Sequence, residues 1–307
     1  MLNFLDVGTA YFIAGLMYFV MPLLVWGSLR HNKHLSIPLW FAGSEFFAFG
    51  VLLLAMRTQL PTWASYELGN TLLGAGSLLR IYGLQLLHKN QSHPRLLIAL
   101  GLAHSVGYIL AHNLLPQSHL FFIWSLLCIA LELGLVSWYA HRIGHTQKLP
   151  SMLWLSFVYI PIIIALVARA IGAIVVAQTP ANIVSTHPIG VWIALMGVIA
   201  AVVSNTSFLA MFVERSAHER QANIELNAQR NLHTMAAALS HELGQPMTNI
   251  QLMTDIWRQS PQTIDAQEVL SQVHSNIGTA IGILERMRNL GKADSIALQK
   301  VDLLDIH

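Results

Sequence analysis

Between residues 8 and 213 the chain is almost continuously apolar, interrupted only by short polar turns, and that run decides what it can fold into. Its segments are about 18–25 residues long, the length at which a helix crosses a hydrocarbon core. They lie near 8–28, 37–56, 65–87, 96–115, 119–140, 152–177 and 189–213. Of the 307 residues, 54% are hydrophobic and 10% charged, against about 25% charged in soluble domains. A chain of this kind takes the lipid bilayer as its first partner. It is expected to be all-α, opening with a seven-helix transmembrane bundle.

Seven spans put the two ends on opposite sides of the membrane. Arg30 and Lys33, Lys89 and Arg95, and Arg142 and Lys148 fall in alternate connections, and Arg215 and Arg220 follow the last span. The intervening turns around Pro61, Pro116 and Pro180 carry only Arg57. The excess of Lys and Arg marks the cytoplasmic side, so the N-terminus is expected outside and the tail in the cytoplasm, in a multi-pass protein of the inner membrane. Trp63, Trp138, Tyr139 and Trp192 near span ends fit interfacial anchors. Met1 to Asp6 carries no basic region and no small-residue cleavage site, so the first span is expected to stay in place. Cys128 is the only cysteine, which excludes a disulfide framework and a thiolate metal site. A net charge of +2, spread over loops, points to no nucleic-acid partner.

Ionisable groups inside a bilayer are costly and invite a functional reading. Glu45 and Arg80 lie at similar depth, each about 10–12 Å from the cytoplasmic end of its span, and are expected to pair. Glu132 and Arg169, on neighbouring spans, form the next candidate pair. Both pairs fit a packing role as well as a functional one. Ser204 and Asn205 read as interhelical hydrogen-bonding groups. His104 and His112 share a face of the fourth span, but no i, i+4 histidine pair lies within a span. His31 with His34 and His141 with His145 lie in basic loops that repel a cation, so no metal site is expected. Pro161 is read as the one proline deep within a span and as a candidate hinge. No internal repeat and no paired broken spans of a secondary transporter are evident.

Past the last span the chain turns polar without glycine or proline, so one helix should run on through residues 214–231. Val213, Ala217, Ile224 and Leu226 give only a weak apolar seam there. Beyond it Leu232, Met235, Leu239, Leu243, Met247, Ile250 and Met253 repeat at steps of 3 and 4, as in a coiled-coil seam. Ser260-Pro261 should end this helix near Trp257 to Gln259. Thr263 or Asp265 can cap the next, with Glu268 as capping-box partner of Asp265. Val269, Val273, Ile277, Ala280, Ile281, Leu284 and Met287 supply the second seam, and Gly291 is expected to close the helix. One hairpin leaves apolar faces on both helices, and two hairpins make a four-helix bundle, so a homodimer is expected.

Within the first helix of the hairpin stands Ser240-His241-Glu242-Leu243-Gly244-Gln245-Pro246-Met247-Thr248-Asn249-Ile250. This stretch resembles the phosphoacceptor box of sensor histidine kinases, Ser/Ala-His-Glu-x-x-x-Pro-Leu-x-x-Ile, with Met247 in the usual Leu position. The resemblance implies a two-component membrane kinase with a sensor at 1–213, a signalling-helix linker at 214–231 and a dimerisation and phosphoacceptor domain at 232–292. Residues 293–307 would then open a linker to an ATP-binding catalytic domain. Val301-Asp302-Leu303 is similar to the segment that begins such a domain, so the chain is expected to be a truncated kinase, inactive alone. By the same resemblance His241 accepts the γ-phosphoryl group of ATP, bound with Mg by that other domain, and passes it to an aspartate of a response regulator. Glu242 orients the ring and serves as base. Gln245 takes the position that aligns water for dephosphorylation, and Pro246 is a structural residue that should bend the helix.

Two departures bear on partners. Gly244 stands where relatives usually carry Arg, Lys or Asn, and Gln245 where many carry Thr or Asn. Nothing in the sequence names the stimulus, whether a small molecule or a state of the membrane. The competing reading is a non-enzymatic seven-span receptor or transporter with a dimerising tail.

Overall fold

The computed structural model describes residues 7–88, 93–115, 119–175, 188–259 and 265–302. Lys89, the turns at Pro116 and Pro180, and Leu303 lie outside the described residues. Among the described residues every regular element is a helix, as expected of an all-α chain. The order is α1 (Val7–Leu29), α2 (Ser36–Ala55), a π-helical turn (Trp63–Leu68) opening α3 (Gly69–Leu87), α4 (Pro94–Leu114), α5 (Leu120–Gln147), α6 (Pro150–Val158), α7 (Ile160–Val175), α8 (Pro188–Gln259) and α9 (Ala266–Asp302). The chain divides into two compact units, Met1–Ala217 and His218–His307.

In the first unit α2 and α3 meet backbone against backbone. α2 carries Ser36, Gly43 and Gly50 and α3 carries Gly69, Gly76 and Gly83, each set at steps of seven. A Cβ placed on Gly43 would lie 2.7 Å from the Gly76 carbonyl oxygen, and one on Gly76 would lie 2.5 Å from that of Gly43. A Cβ on Gly50 would likewise meet the Gly69 carbonyl oxygen at 2.7 Å. Small residues at a repeated spacing let two helices approach in this way.

α3 also packs against α4 and α5, so it occupies the interior of the unit. Asn70, Ser77, Arg80 and Gln85 are all buried along it. They dilute its hydropathy, and the helices long and apolar enough to cross a membrane number six among the described residues, without α3. Each of the seven expected segments is thus mainly helical over its described residues, but the third is a polar-lined core helix rather than an apolar one.

The sixth segment is divided. α6 ends at Val158 and α7 begins at Ile160, because Pro161 has no N–H to give to the carbonyl four residues back. Ser137 of α5 donates its hydroxyl to the Ser156 carbonyl beside this break. Pro161 is not alone in its depth, since Pro22 lies inside α1.

The first part of α8 belongs to this unit and is tied to several of its elements. Trp40 of α2 stacks on Phe208, centroids 4.4 Å apart, and donates its indole N–H to Asn205 Oδ1 at 3.0 Å. Gly197 lies near Ala14 and Tyr18 of α1. Glu214 accepts from the backbone N–H of Ser151 at 3.3 Å and from its hydroxyl at 2.8 Å, at the first turn of α6. His34, in the α1–α2 turn, packs edge-on to Phe212. Burial and the nearby Arg215 hold its ring below the usual histidine range, so it is neutral at pH 7 and Nδ1 accepts from Ser36 N–H.

The second unit differs from expectation at one boundary. Gly291 does not end α9, which continues to Asp302. A single helical glycine costs only about 1 kcal/mol, and the following Lys-Ala-Asp-Ser-Ile-Ala-Leu-Gln-Lys contains no proline to stop the helix.

The glycine contact predicts a graded response. Gly76→Ala should lower stability by about 1–3 kcal/mol, because backbone on the facing helix cannot yield. Gly69→Ala, whose Cβ would first meet Leu54 at 3.4 Å, should be close to neutral. Thermal unfolding of both variants in lipid nanodiscs, followed by helical circular dichroism, checks the difference.

Candidate functional site

In the His218–His307 unit, burial picks out one stripe on each helix. On α8 the shielded residues include Met235, Leu239, Leu243, Pro246, Ile250 and Met253, and on α9 they include Val269, Val273, Asn276, Ala280 and Ile283. Their steps of 3 and 4 are those of a heptad seam. Leu232, Met247, Ile277, Ile281 and Leu284, expected in the seams, are exposed, while the side chain of Met287 lies outside the described residues. They flank the covered stripe, so the apolar surface of the unit is wider than a single chain covers.

His241 lies two residues from both Leu239 and Leu243, about 200° from each around the helix, and is exposed together with Glu242 and Gln245. Its ring is open to an incoming group on a helical support. Ser240 turns its hydroxyl back to the Ala236 carbonyl at 2.9 Å. A Cβ on Gly244 would meet nothing within 4 Å, so space is open one turn from the histidine. Pro246 sits inside the continuing helix and is buried on the seam side.

α8 ends at Gln259, in the region where Ser260-Pro261 should stop it; residues 260–264, Thr263 among them, lie outside the described residues. Asp265 caps α9: its Oδ1 accepts from Gln267 N–H at 2.9 Å and its carbonyl from the N–H groups of Glu268 and Val269. An aspartate there satisfies an orphan donor and complements the helix dipole.

Residues 231–296 match the His Kinase A (phospho-acceptor) domain, a stretch that takes in the exposed His241, its neighbour Glu242 and both seams. The chain carries a histidine phosphoacceptor domain. Several apolar helices that can span a membrane precede it. No curated protein matches the chain, and no solved structure does.

The ionisable residues of the first unit are arranged otherwise than expected. Glu45 and Arg80 do not pair: both Glu45 carboxylate oxygens are buried without a hydrogen-bond partner among the described residues. Depth is matched but direction is not. Arg80 lies against the Gly43 and Phe47 face of α2, and Glu45 is two residues, about 200°, from each of these. Arg80 instead donates to the Tyr159 hydroxyl at 3.1 Å and lies over the Phe47 ring at 4.5 Å. Glu132 does not pair with Arg169 either. It holds His104 of α4, Nδ1 to Oε1 2.8 Å, while the Arg169 guanidinium lies 5.5 Å from the Phe122 ring centroid. His112 bonds Glu67 at 3.3 Å. The sequence does contain a pointer to the His104–Glu132 pair, since each lies about 12–14 Å from the basic end of its segment.

Asp265→Ala should destabilise the phosphoacceptor domain by about 1 kcal/mol, and Asp265→Asn by much less. Differential scanning calorimetry of the two variants in lipid checks this cap.

Proposed function

We propose that the chain is the membrane and phosphoacceptor part of a sensor histidine kinase of a two-component system. The observation that carries this reading is an exposed His241 on a seamed helix inside a matched phosphoacceptor domain. The apolar unit is the input module in the inner membrane, N-terminus outside and the far end of α8 in the cytoplasm. The charge asymmetry of its connections supports that orientation.

In this reading the neutral imidazole of His241 attacks the γ-phosphorus of ATP. A P–N bond forms, the bond from phosphorus to the β,γ-bridging oxygen breaks, and ADP leaves. Glu242, next to the histidine and equally exposed, holds the proton of the other ring nitrogen and offsets the positive charge that develops on the ring. ATP is presented with Mg by a catalytic ATP-binding domain. The phosphoryl group then passes to an aspartate of a response regulator. Gln245, one turn on from His241, orients a water for dephosphorylation of that partner, and the open space at Gly244 gives the regulator room to dock.

The domain works as a homodimer. Ile277, Ile281 and Leu284 form an exposed apolar stripe beside the seam of α9, and a second copy covers it in a four-helix bundle. Ile281→Glu together with Leu284→Glu should convert the dimer to a monomer, read by the crosslinked fraction in membranes.

The phosphoacceptor role is tested with the chain in liposomes, labelled ATP and a separately expressed kinase catalytic domain. Acid-labile, alkali-stable label should appear in the natural chain and be absent from His241→Ala, whose dimer persists. Glu242→Gln should slow labelling by about 10²-fold. Label that persists in His241→Ala, or that never forms, overturns the reading in favour of a receptor with an inert tail.

A further inference from the structure

α3 presents polar groups to its neighbours from one end to the other. The Ser125 hydroxyl of α5 donates to Asn70 Oδ1, and Gln85 Nε2 donates to the Tyr139 hydroxyl of α5 at 2.9 Å. These bonds join residues 55 and 54 positions apart, so α3 and α5 keep one register and Ser77 lies level with Glu132. On the third side, the His104 ring rests on bare backbone: a Cβ at Gly74 would come within 2.6 Å of its Nδ1.

At this depth polar atoms accumulate without partners. His104, Glu132, Ser77 and Arg80 are 1%, 2%, 0% and 1% exposed, far inside the unit. His104 Nε2, Glu132 Oε2, Ser77 Oγ, and Arg80 Nε and Nη2 have no hydrogen-bond partner among the described residues. The large majority of buried side-chain polar atoms are paired, so several orphans near one level on three helices need a cause.

We propose that the His104–Glu132 dyad is a proton-binding site within the apolar unit, and that Arg80 reads its charge. With a neutral ring and an ionised carboxylate, the dyad shares one proton between Nδ1 and Oε1 and carries one negative charge. A second proton binds at Oε2, the carboxylate oxygen without a partner, and leaves a neutral acid against a neutral ring. Inside a bundle a change of one full charge is costly unless a neighbour compensates. Arg80 is that neighbour. It is always charged and stands one turn along α3 from the level of Ser77 and Glu132. Its two unpartnered nitrogens turn to the carboxylate when the dyad is negative. When the dyad is neutral, Arg80 is held by the Tyr159 hydroxyl and by the rings of Phe47, Trp40 and Tyr159. Tyr159 lies in the α6–α7 break, and Trp40 bonds Asn205 of α8. One proton thus alters the grip on the part of α8 that belongs to this unit.

Other titratable groups near the dyad are Cys128, one turn before Glu132, and Tyr108 with His112, one and two turns beyond His104, the latter bonded to Glu67. Glu45 lies on the other face of α2, and Arg169 lies over Phe122.

Infrared difference spectra of the chain in liposomes, taken between about pH 5 and 8, test the site directly. Exposed carboxyls are already ionised in that range, and Glu45→Gln supplies the background of the other buried one. In the Glu45→Gln background a protonated-carboxyl band should grow on acidification, vanish when Glu132→Gln is added, and shift its midpoint by about one pH unit when His104→Gln is added. A tyrosine band should move with it and be lost in Tyr159→Phe. A Glu45→Gln chain without the carboxyl band, or a spectrum of that chain on which the added Glu132→Gln superimposes, overturns the proton site. A tyrosine band that does not follow the carboxyl overturns the reading by Arg80. The Glu45→Gln chain, in which Glu132 is the remaining buried carboxyl among the described residues, decides the first point if Glu132→Gln does not fold. No phosphoryl transfer enters these spectra, so their outcome is separate from that of the His241 experiment.

Discussion

The contact of α2 with α3 through Gly43, Gly50, Gly69 and Gly76 is the constraint on which the rest of the apolar unit depends. In lipid the usual hydrophobic gain on helix association is absent, and close packing must take its place. By bringing two backbones together, the glycines leave the other faces of α3 free for α4 and α5. α3 then becomes a surrounded helix, and only a surrounded helix can carry Asn70, Ser77, Arg80 and Gln85 without exposing them to hydrocarbon. The polar interior is therefore a consequence of the glycine contact. The same logic explains why α4, on the rim of this arrangement, exposes Leu96, Ile98, Leu102, Val106 and Leu110.

The parts of the fold legible in the sequence are those governed by one-dimensional physics. Helix length against bilayer thickness places seven helical segments, and seam periodicity places the hairpin and the outward face of His241. Asp265 is legible as a cap because its chemistry is local. Direction around a helix is harder. Glu45 and Arg80 share a depth but not a face, since the side of α2 that meets α3 is set by glycines whose role emerges only when both helices are read together. His104 escapes for the converse reason. Its depth matches that of Glu132, but pairing rules lead from a carboxylate to a cation and from a histidine to a metal, not from one to the other. The stop expected at Gly291 places too much weight on one residue, because a lone glycine is a modest penalty that surrounding helix formers outweigh.

The seams of the phosphoacceptor domain show how a single chain specifies a surface that it does not itself cover. Leu239, Leu243, Val269 and Val273 are shielded as their spacing requires, yet Ile277, Ile281 and Leu284 remain exposed. A strip of apolar residues on a helix facing one partner needs only two positions per heptad, and α9 carries more. The surplus is what a second hairpin would use. His241 stands clear of the seam on α8, so closing that seam does not cover its ring.

Between the apolar helices and the phosphoacceptor box, α8 passes through residues 218–234, all of them exposed. Ile224 and Leu226, the large apolar residues of this stretch before Leu232, are exposed. Its helical state therefore rests on propensity, supplied by Ala, Glu, Gln, Arg and Leu, rather than on tertiary contacts. At its upstream end the helix is held by side chains that are specific and polar: Asn205 by Trp40, and Glu214 by Ser151. Such bonds are made or broken as units, so the packing that they fix has discrete settings. On the proposed reading by Arg80, a change of charge acts on Trp40 and hence on its bond to Asn205. On the proposed reading the weak seam of the linker suits a shift of register, because neither packing is strongly favoured there.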